Sequence, residues 1–327
     1  MINEYWKSTL NTDNKALYEK IYSSFKMFES DVSCGGTCTN DIITVYDAIC
    51  NDHPELFYLS YAPRISQRVG LIGKNNTTLH IDFIYSLSEI KIYQEELNKL
   101  CQKLDHQFNG LSDKEKEKQI CDFLIEKTNY KINNKFNQNA IAVLLKHEGQ
   151  CSGIARAAKL LFDFLNIESM VVTGELIDKK SNKKEPHAWN IVRIDGAFFH
   201  LDVTSMIGCN KSKEPPFFYL FYNYSDEQLR ESHEWDRKSA PICCGSYNNE
   251  NRLTVNSLYE LRLLIKTIDF SKTNSITFFN KIPCSDMDLL YDKIIQIAKE
   301  NIKQIKKHAR VKMKAAGQTV YLIFEDI

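Results

Sequence analysis

Apolar residues return every four positions at Leu17, Ile21 and Phe25, which predicts a helix from about Asn14 to Phe28. A break follows at Ser33-Cys34-Gly35-Gly36-Thr37-Cys38. A second helix, roughly Asp41 to Asn51, ends before Pro54, because the residue preceding a proline avoids the helical region. Alternation from Thr78 to Tyr85 predicts a strand, and Ser88 to Phe108 a long amphipathic helix. Ser112 and Glu115 have the spacing of a capping box, opening a helix to about Thr128 with Ile120, Leu124 and Lys127 on one side. A polar stretch, Asn133 to Asn139, precedes a short helix over Ala140 to Lys146.

Beyond Gly149-Gln150, Ile154, Ala158, Leu161 and Leu165 fall at steps of 4, 3 and 4, so one helix face is buried and its first turn contains Cys151. Met170 to Leu176 reads as a strand, and Asp178 to Pro186 as a charged, solvated turn. Asp195-Gly196 is a two-residue hairpin signal that pairs Ile194 with Ala197. Continued outward, that register sets Trp189 opposite Asp202 and His187 opposite Thr204. Those four then share one face, while Ala188, Val192, Ile194, Phe199, Leu201 and Val203 form an apolar face. The helix bearing Cys151 is expected to pack on the His187 face.

Near Gly245 to Asn251 the composition turns polar. Beyond it the pattern is helix (Leu258 to Ile268), strand (Ser275 to Phe279), helix (Asp286 to Lys306) and strands around Val311 and Val320 to Phe324. Three units are expected: a helix-rich α+β module over 1–110, a core over 111–248 and a small α+β module over 249–327.

Composition narrows the function. With 42 Lys and Arg against 42 Asp and Glu, no basic field exists to attract nucleic acid or an anionic membrane. No run of 18 apolar residues and no signal-peptide pattern is present, so a cytoplasmic protein is expected. Ten cysteines without framework spacing are then expected to be reduced thiols, the Cys34 to Cys38 stretch being a flexible loop with two of them. No cofactor or metal site is called for, because paired close cysteine ligands are missing.

One of the ten thiols is placed for chemistry. A cysteine in the first turn of a helix sits beside unpaired N–H groups and the positive end of the dipole, which favours the thiolate. Diagonal neighbours on a sheet face lie about 7–8 Å apart, within side-chain reach, so Asp202 can accept from the His187 ring and orient it. Cys151, His187 and Asp202 are therefore the candidate catalytic set. The Cys151 N–H is the natural oxyanion donor, with Gln150, Asn139 or Tyr130 as candidates for a second. Trp189 is expected to pack beside the site, and Asn190 to make a structural hydrogen bond.

The pieces Gly149-Gln150-Cys151-Ser152-Gly153, Thr173-Gly174, His187-Ala188-Trp189-Asn190 and His200-Leu201-Asp202-Val203-Thr204 resemble the transglutaminase-like superfamily. So do the flanking phrases Cys121-Asp122-Phe123-Leu124, Tyr130, Phe221 to Asp226 and His233-Glu234-Trp235, as in bacterial members. The resemblance implies an α+β, papain-like core, with a Cys-bearing helix packed on an antiparallel sheet that carries His and Asp. It also implies acyl transfer from an amide of a protein or peptide substrate. The protease-like look of bacterial relatives points to hydrolysis. An amine acceptor would make the protein a protein-glutamine transglutaminase, and a non-catalytic binding module is a third reading. Ser152 stands where animal transglutaminases have tryptophan. Substrate identity and oligomeric state are not legible.

Overall fold

The computed structural model describes residues 4–69, 75–132, 136–178, 183–213, 217–244, 253–270, 273–305, 309–316 and 318–326. The chain opens with α1 (Tyr5–Thr9), α2 (Thr12–Lys26), β1 (Asp31–Gly35), α3 (Thr39–Asp52), β2 (Arg64–Val69), β3 (Asn75–His80) and α4 (Leu87–Gln107). Its three strands form an antiparallel sheet of order β1-β3-β2.

Two sequence expectations change here. The Cys34 to Cys38 stretch is not a flexible loop. Val32 and Cys34 alternate inward on β1 and are covered, and the Cys38 sulfur caps α3 by accepting from the Asp41 N–H at 3.4 Å. The Thr78 to Tyr85 strand ends at His80, after which Ile81 and Ile84 donate to carbonyls of Ser30 and Tyr58 outside the ladder.

The central elements are α5 (Asp113–Lys127), β4 (Asn129–Tyr130), α6 (Ala140–Leu144), β5 (Glu148–Gly149), α7 (Cys151–Phe164), β6 (Ser169–Asp178), β7 (Lys183–Ile194), β8 (Ala197–Leu201), α8 (Val203–Cys209), α9 (Asp226–Leu229) and β9 (His233–Trp235). The Ser112–Glu115 capping box forms as its spacing predicts. Strands β8-β7-β6-β9 make an antiparallel sheet, and the Asp195-Gly196 turn pairs Ile194 with Ala197. Both turn residues have positive φ, 50° and 83°. Of the 178–186 stretch, residues 179–182 lie outside the described residues, and Lys183 to Pro186 are exposed, as expected, but are strand rather than turn. Strands β6 and β7 stay paired through Glu175↔Pro186 to Asp178↔Lys183, so the hairpin projects as an arm.

Burial along β7 is continuous from His187 to Val192, because both faces of the sheet are covered. Helix α7 packs on the Ala188, Asn190 and Val192 face. Cys151 and Ala155 meet Val171 and Ala188 there, and Asn190 donates its amide to the Ala155 carbonyl at 2.9 Å. The expectation that α7 lies on the His187 face is thus corrected: that face is filled by Trp189, Ile191, Met170, Val172, Tyr224 and Trp235. Each fully buried large apolar side chain contributes about 1.5–3 kcal/mol, so two covered faces hold the sheet rigidly.

The last segment is β10 (Leu253–Val255), α10 (Leu258–Lys266), β11 (Ser275–Asn280), α11 (Met287–Ile305), β12 (Ala309–Ala316) and β13 (Thr319–Asp326), with sheet order β10-β11-β13-β12. Helices cover one face of this sheet through Val320, Leu322 and Phe324. On the other face Tyr321 and Ile323 pack on Phe218 and Leu220 of the central segment. One apolar cluster runs from Leu17 to Phe217 and a separate one from Val255 to Phe324. The polar boundary read at Gly245 to Asn251 lies outside the described residues.

Candidate active site

Cys151 is the first residue of α7, with Gln150 at the N-cap. N–H groups of a first turn lack helical partners and form the positive end of the dipole. Gly153 lets this turn approach its neighbour: a Cβ there would lie 2.2 Å from the Asn137 carbonyl oxygen. The same carbonyl accepts the Gln150 N–H at 3.0 Å, which pins the helix start. The half-exposed thiol meets the His187 ring and the backbone N–H groups of Ala188 and Ser152.

Asp202 is not in a strand. Strand β8 stops at Leu201, the pairs Trp189–Asp202 and His187–Thr204 do not form, and Asp202 becomes the N-cap of α8. Its Oδ1 accepts the Ser205 N–H at 3.0 Å, and this local bond is what turns the chain out of the sheet. The buried Oδ2 accepts from the Ser205 hydroxyl, from His187 Nε2–H at 3.0 Å and from His233 Nε2–H at 3.1 Å. An ionised carboxylate only accepts, so both Nε2 atoms carry protons and His187 faces the thiol through Nδ1.

The electrostatics follow from these contacts. Burial alone would raise the Cys151 thiol, but His187 and the two backbone donors outweigh it and hold it below the usual value. Burial works against a charged His187, yet Asp202 and Cys151 push it up to about 10. Asp202 is held well below the carboxylate range: burial opposes this, and His187 and His233 overcome it. The arrangement favours a thiolate–imidazolium pair backed by a buried carboxylate.

Trp189 stacks near the His187 ring, centroids 6.0 Å apart at 21°. Its indole N–H donates to His200 Nδ1 at 3.0 Å, and His200 Nε2–H donates to Asp226 Oδ1 at 2.9 Å. Trp189 therefore packs against the site with its only donor committed elsewhere. Asn139 is also turned away: its side chain caps α6 at Ala142 N–H and donates to the Phe136 carbonyl. Tyr130, on β4 beside Gly149, is exposed, and burial together with Cys151 raises its hydroxyl. Gln150 is half-buried at the helix cap. Tyr130, Leu176, Pro186, His187, Ser205 and Ile207 line a cleft of about 540 Å³.

Two groups bring potential metal-ligand atoms within 4.8 Å of one another: His187, Asp202, His233 and His200, Asp226, Cys243. In the second, the Trp189 N–H fixes His200 with its proton on Nε2, which leaves that nitrogen no lone pair for a cation. In the first, a cation would have to replace the Nε2 protons that bond Asp202. Sequence reasoning gave no role to His200, His233 or Ser205, although the first two stand in phrases that carry the family resemblance. Only Ser205, three residues after Asp202, had a local signal, that of a helix cap.

Residues 102–203 match the model of the transglutaminase-like superfamily, and this segment is transglutaminase-like. No curated protein matches the chain. Among solved structures, a TGase is similar over 50% of this chain and 48% of its own, at 16% identity and TM-score 0.32. The chain thus spans about half the length of that structure. The periplasmic domain of TgpA from Pseudomonas aeruginosa is similar over 47% of this chain and 66% of its own, at 11% identity and TM-score 0.28. No helix among the described residues is long and apolar enough to cross a membrane.

Proposed function

We propose that this transglutaminase-like chain is a thiol-dependent acyl-transfer enzyme that hydrolyses an amide bond of a protein or peptide substrate. The observation that carries the reading is the linked run from the Cys151 thiol through His187 to Asp202, with the thiol lowered and the imidazole raised. In the first step Cys151 Sγ bonds to the carbonyl carbon. The C–N bond then breaks as His187 delivers its Nδ1 proton to the leaving amine. In the second step His187 takes a proton from water, the hydroxide bonds to the acyl carbon, and the C–S bond breaks to restore the thiolate.

The Cys151 N–H supplies one oxyanion contact, and Gln150 or the Tyr130 hydroxyl supplies the second. Asp202 holds the imidazole and stabilises its charged form. The cleft beside His187 receives the substrate, its walls formed by the projecting β6–β7 arm and by α8. Ten free thiols suit a reducing, cytoplasmic compartment.

The test is a peptide-library digestion read by mass spectrometry, with wild type and Cys151→Ala side by side. Cleavage products that need Cys151 are expected. Cys151-dependent incorporation of a fluorescent primary amine into a glutamine-containing protein, without cleavage, would replace hydrolysis by transfer.

A further inference from the structure

Strand β9 reaches the site across a residue that has no side chain. Gly174 on β6 pairs with His187 on one side and Trp235 on the other. A Cβ at Gly174 would lie 2.2 Å from the Glu234 carbonyl oxygen and 2.9 Å from Trp189 Cη2. That gap lets His233 and Trp235, alternate residues of β9, lean over β6 towards β7. The His233 ring lies 5.4 Å from His187 and 5.1 Å from Trp189, between centroids. It is buried, and its Nδ1 meets the Ser232 hydroxyl at 2.8 Å. The titratable groups facing it are His187 on β7, Asp202 at the start of α8 and, beyond Trp189, His200 on β8.

We infer that His233 is a positioning residue for the proposed reaction: its Nε2–H holds the Asp202 carboxylate in the one orientation that serves His187. Two imidazoles and the Ser205 hydroxyl converge on Oδ2 while the Ser205 N–H holds Oδ1, so the carboxylate plane cannot turn without breaking bonds at both oxygens. Ser205 holds both oxygens from the α8 side, through its N–H and its hydroxyl, and His233 adds a donor from the β9 side that meets Oδ2 together with His187. With His233 in place the carboxylate is oriented before substrate binds. The inference rests on the Cys151–His187–Asp202 reading above.

The experiment follows iodoacetamide alkylation of the full chain between pH 5 and 9, with Cys151 labelling quantified by mass spectrometry against the exposed Cys38, Cys244 and Cys284. His233→Leu keeps bulk and loses the donor, whereas His233→Gln keeps an N–H donor. For His233→Leu, the acid limb of Cys151 labelling should move up by about one pH unit. Its rate at pH 6 would then fall about ten-fold, with the rate at pH 9 within about two-fold of wild type. His233→Gln should restore most of the pH 6 rate. Should His233→Leu not fold, His233→Asn, whose amide falls short of Asp202, replaces it. A profile for the donor-less variant that superimposes on wild type overturns the inference, as does an equal shift in the Leu and Gln variants. The underlying reading fails separately, and takes the inference with it, if wild-type Cys151 labels no faster at pH 6 than the exposed thiols or if His187→Ala changes nothing.

Discussion

Two His–Asp pairs stand on either side of Trp189, each with a cysteine nearby, and they end in opposite electrostatic states. His187 with Asp202 is pushed up to about 10, whereas burial holds His200, beside Asp226, below the ordinary histidine value. Both rings are buried and both donate Nε2–H to a carboxylate at about 3 Å. His200 is the more deeply buried, with His233 and Arg237 adding to its lowering, and the two rings differ also at Nδ1. In His187 it faces a thiol that gains from a positive ring. In His200 it accepts the Trp189 N–H, and a second ring proton would point donor at donor. A carboxylate partner does not by itself make a histidine an acid–base group; burial and the atom on the far nitrogen count as well.

The largest contrast should come from the two cysteines. Cys151→Ala should cut kcat/KM on any peptide found by library screening by at least about 10⁴-fold. Cys243→Ala should leave it within about ten-fold, since the buried Cys243 only lines the His200 pair. Next come the carboxylates. Asp202→Asn should cost about 10³–10⁴-fold, because the amide lets His187 adopt the wrong tautomer. Asp226→Asn should act on thermal stability instead. Equal activity losses in the two variants would abolish the distinction drawn here.

The pH dependence has a worked sign. His187 has its folded value raised, so its share of stability is full below about 6.5 and is lost as pH rises through about 10. Asp202 is depressed, so its share is present above about 3.9 and is lost on acidification. Urea unfolding across pH should show both flanks, and Asp202→Asn should erase the alkaline one. Activity should fall on the alkaline side near pH 10, as the imidazolium loses its proton.

Smaller effects refine the comparison. Trp189→Phe removes the N–H that pins His200, and should cost about 1–3 kcal/mol while letting the His200 value rise, as proton NMR titration of the ring would show. Glu117 supplies the case of a buried acid with no imidazole. The neutral Tyr222 hydroxyl and Asn223 amide donate to it, and burial pushes it up to about 7. Its contribution to stability is full below about 4.3 and declines as pH rises through 7. Glu117→Gln should therefore raise the melting temperature at pH 8, with the gain vanishing near pH 5.

Much of the site was legible because its signals are local. The periodicity Ile154, Ala158, Leu161, the Asp195-Gly196 turn and the Ser112–Glu115 box each act within a few residues, and each formed as read. The His187–Asp202 bond also formed, although by a different route: Asp202 leaves the sheet to cap a helix, a local bond that outcompeted strand pairing. What stayed hidden depends on contacts distant in sequence. His233 arrives only through the β6–β9 register and the gap at Gly174, and the polarity of Trp189 only through His200. The two-residue pair β4–β5, which seats Tyr130 beside Gly149, is too short to leave a periodic trace.

The packing of β13 on residues 218–220 ties the far end of the chain to this chemistry. Tyr321 and Ile323 cover Phe218 and Leu220, and the next carbonyl along, that of Phe221, accepts the Asp202 N–H at 3.1 Å. The terminal sheet thus works as an anchor plate under a lever whose short arm is the carboxylate. Loosening it at a surface remote from Cys151 is expected to shift the seat of the Asp202 backbone.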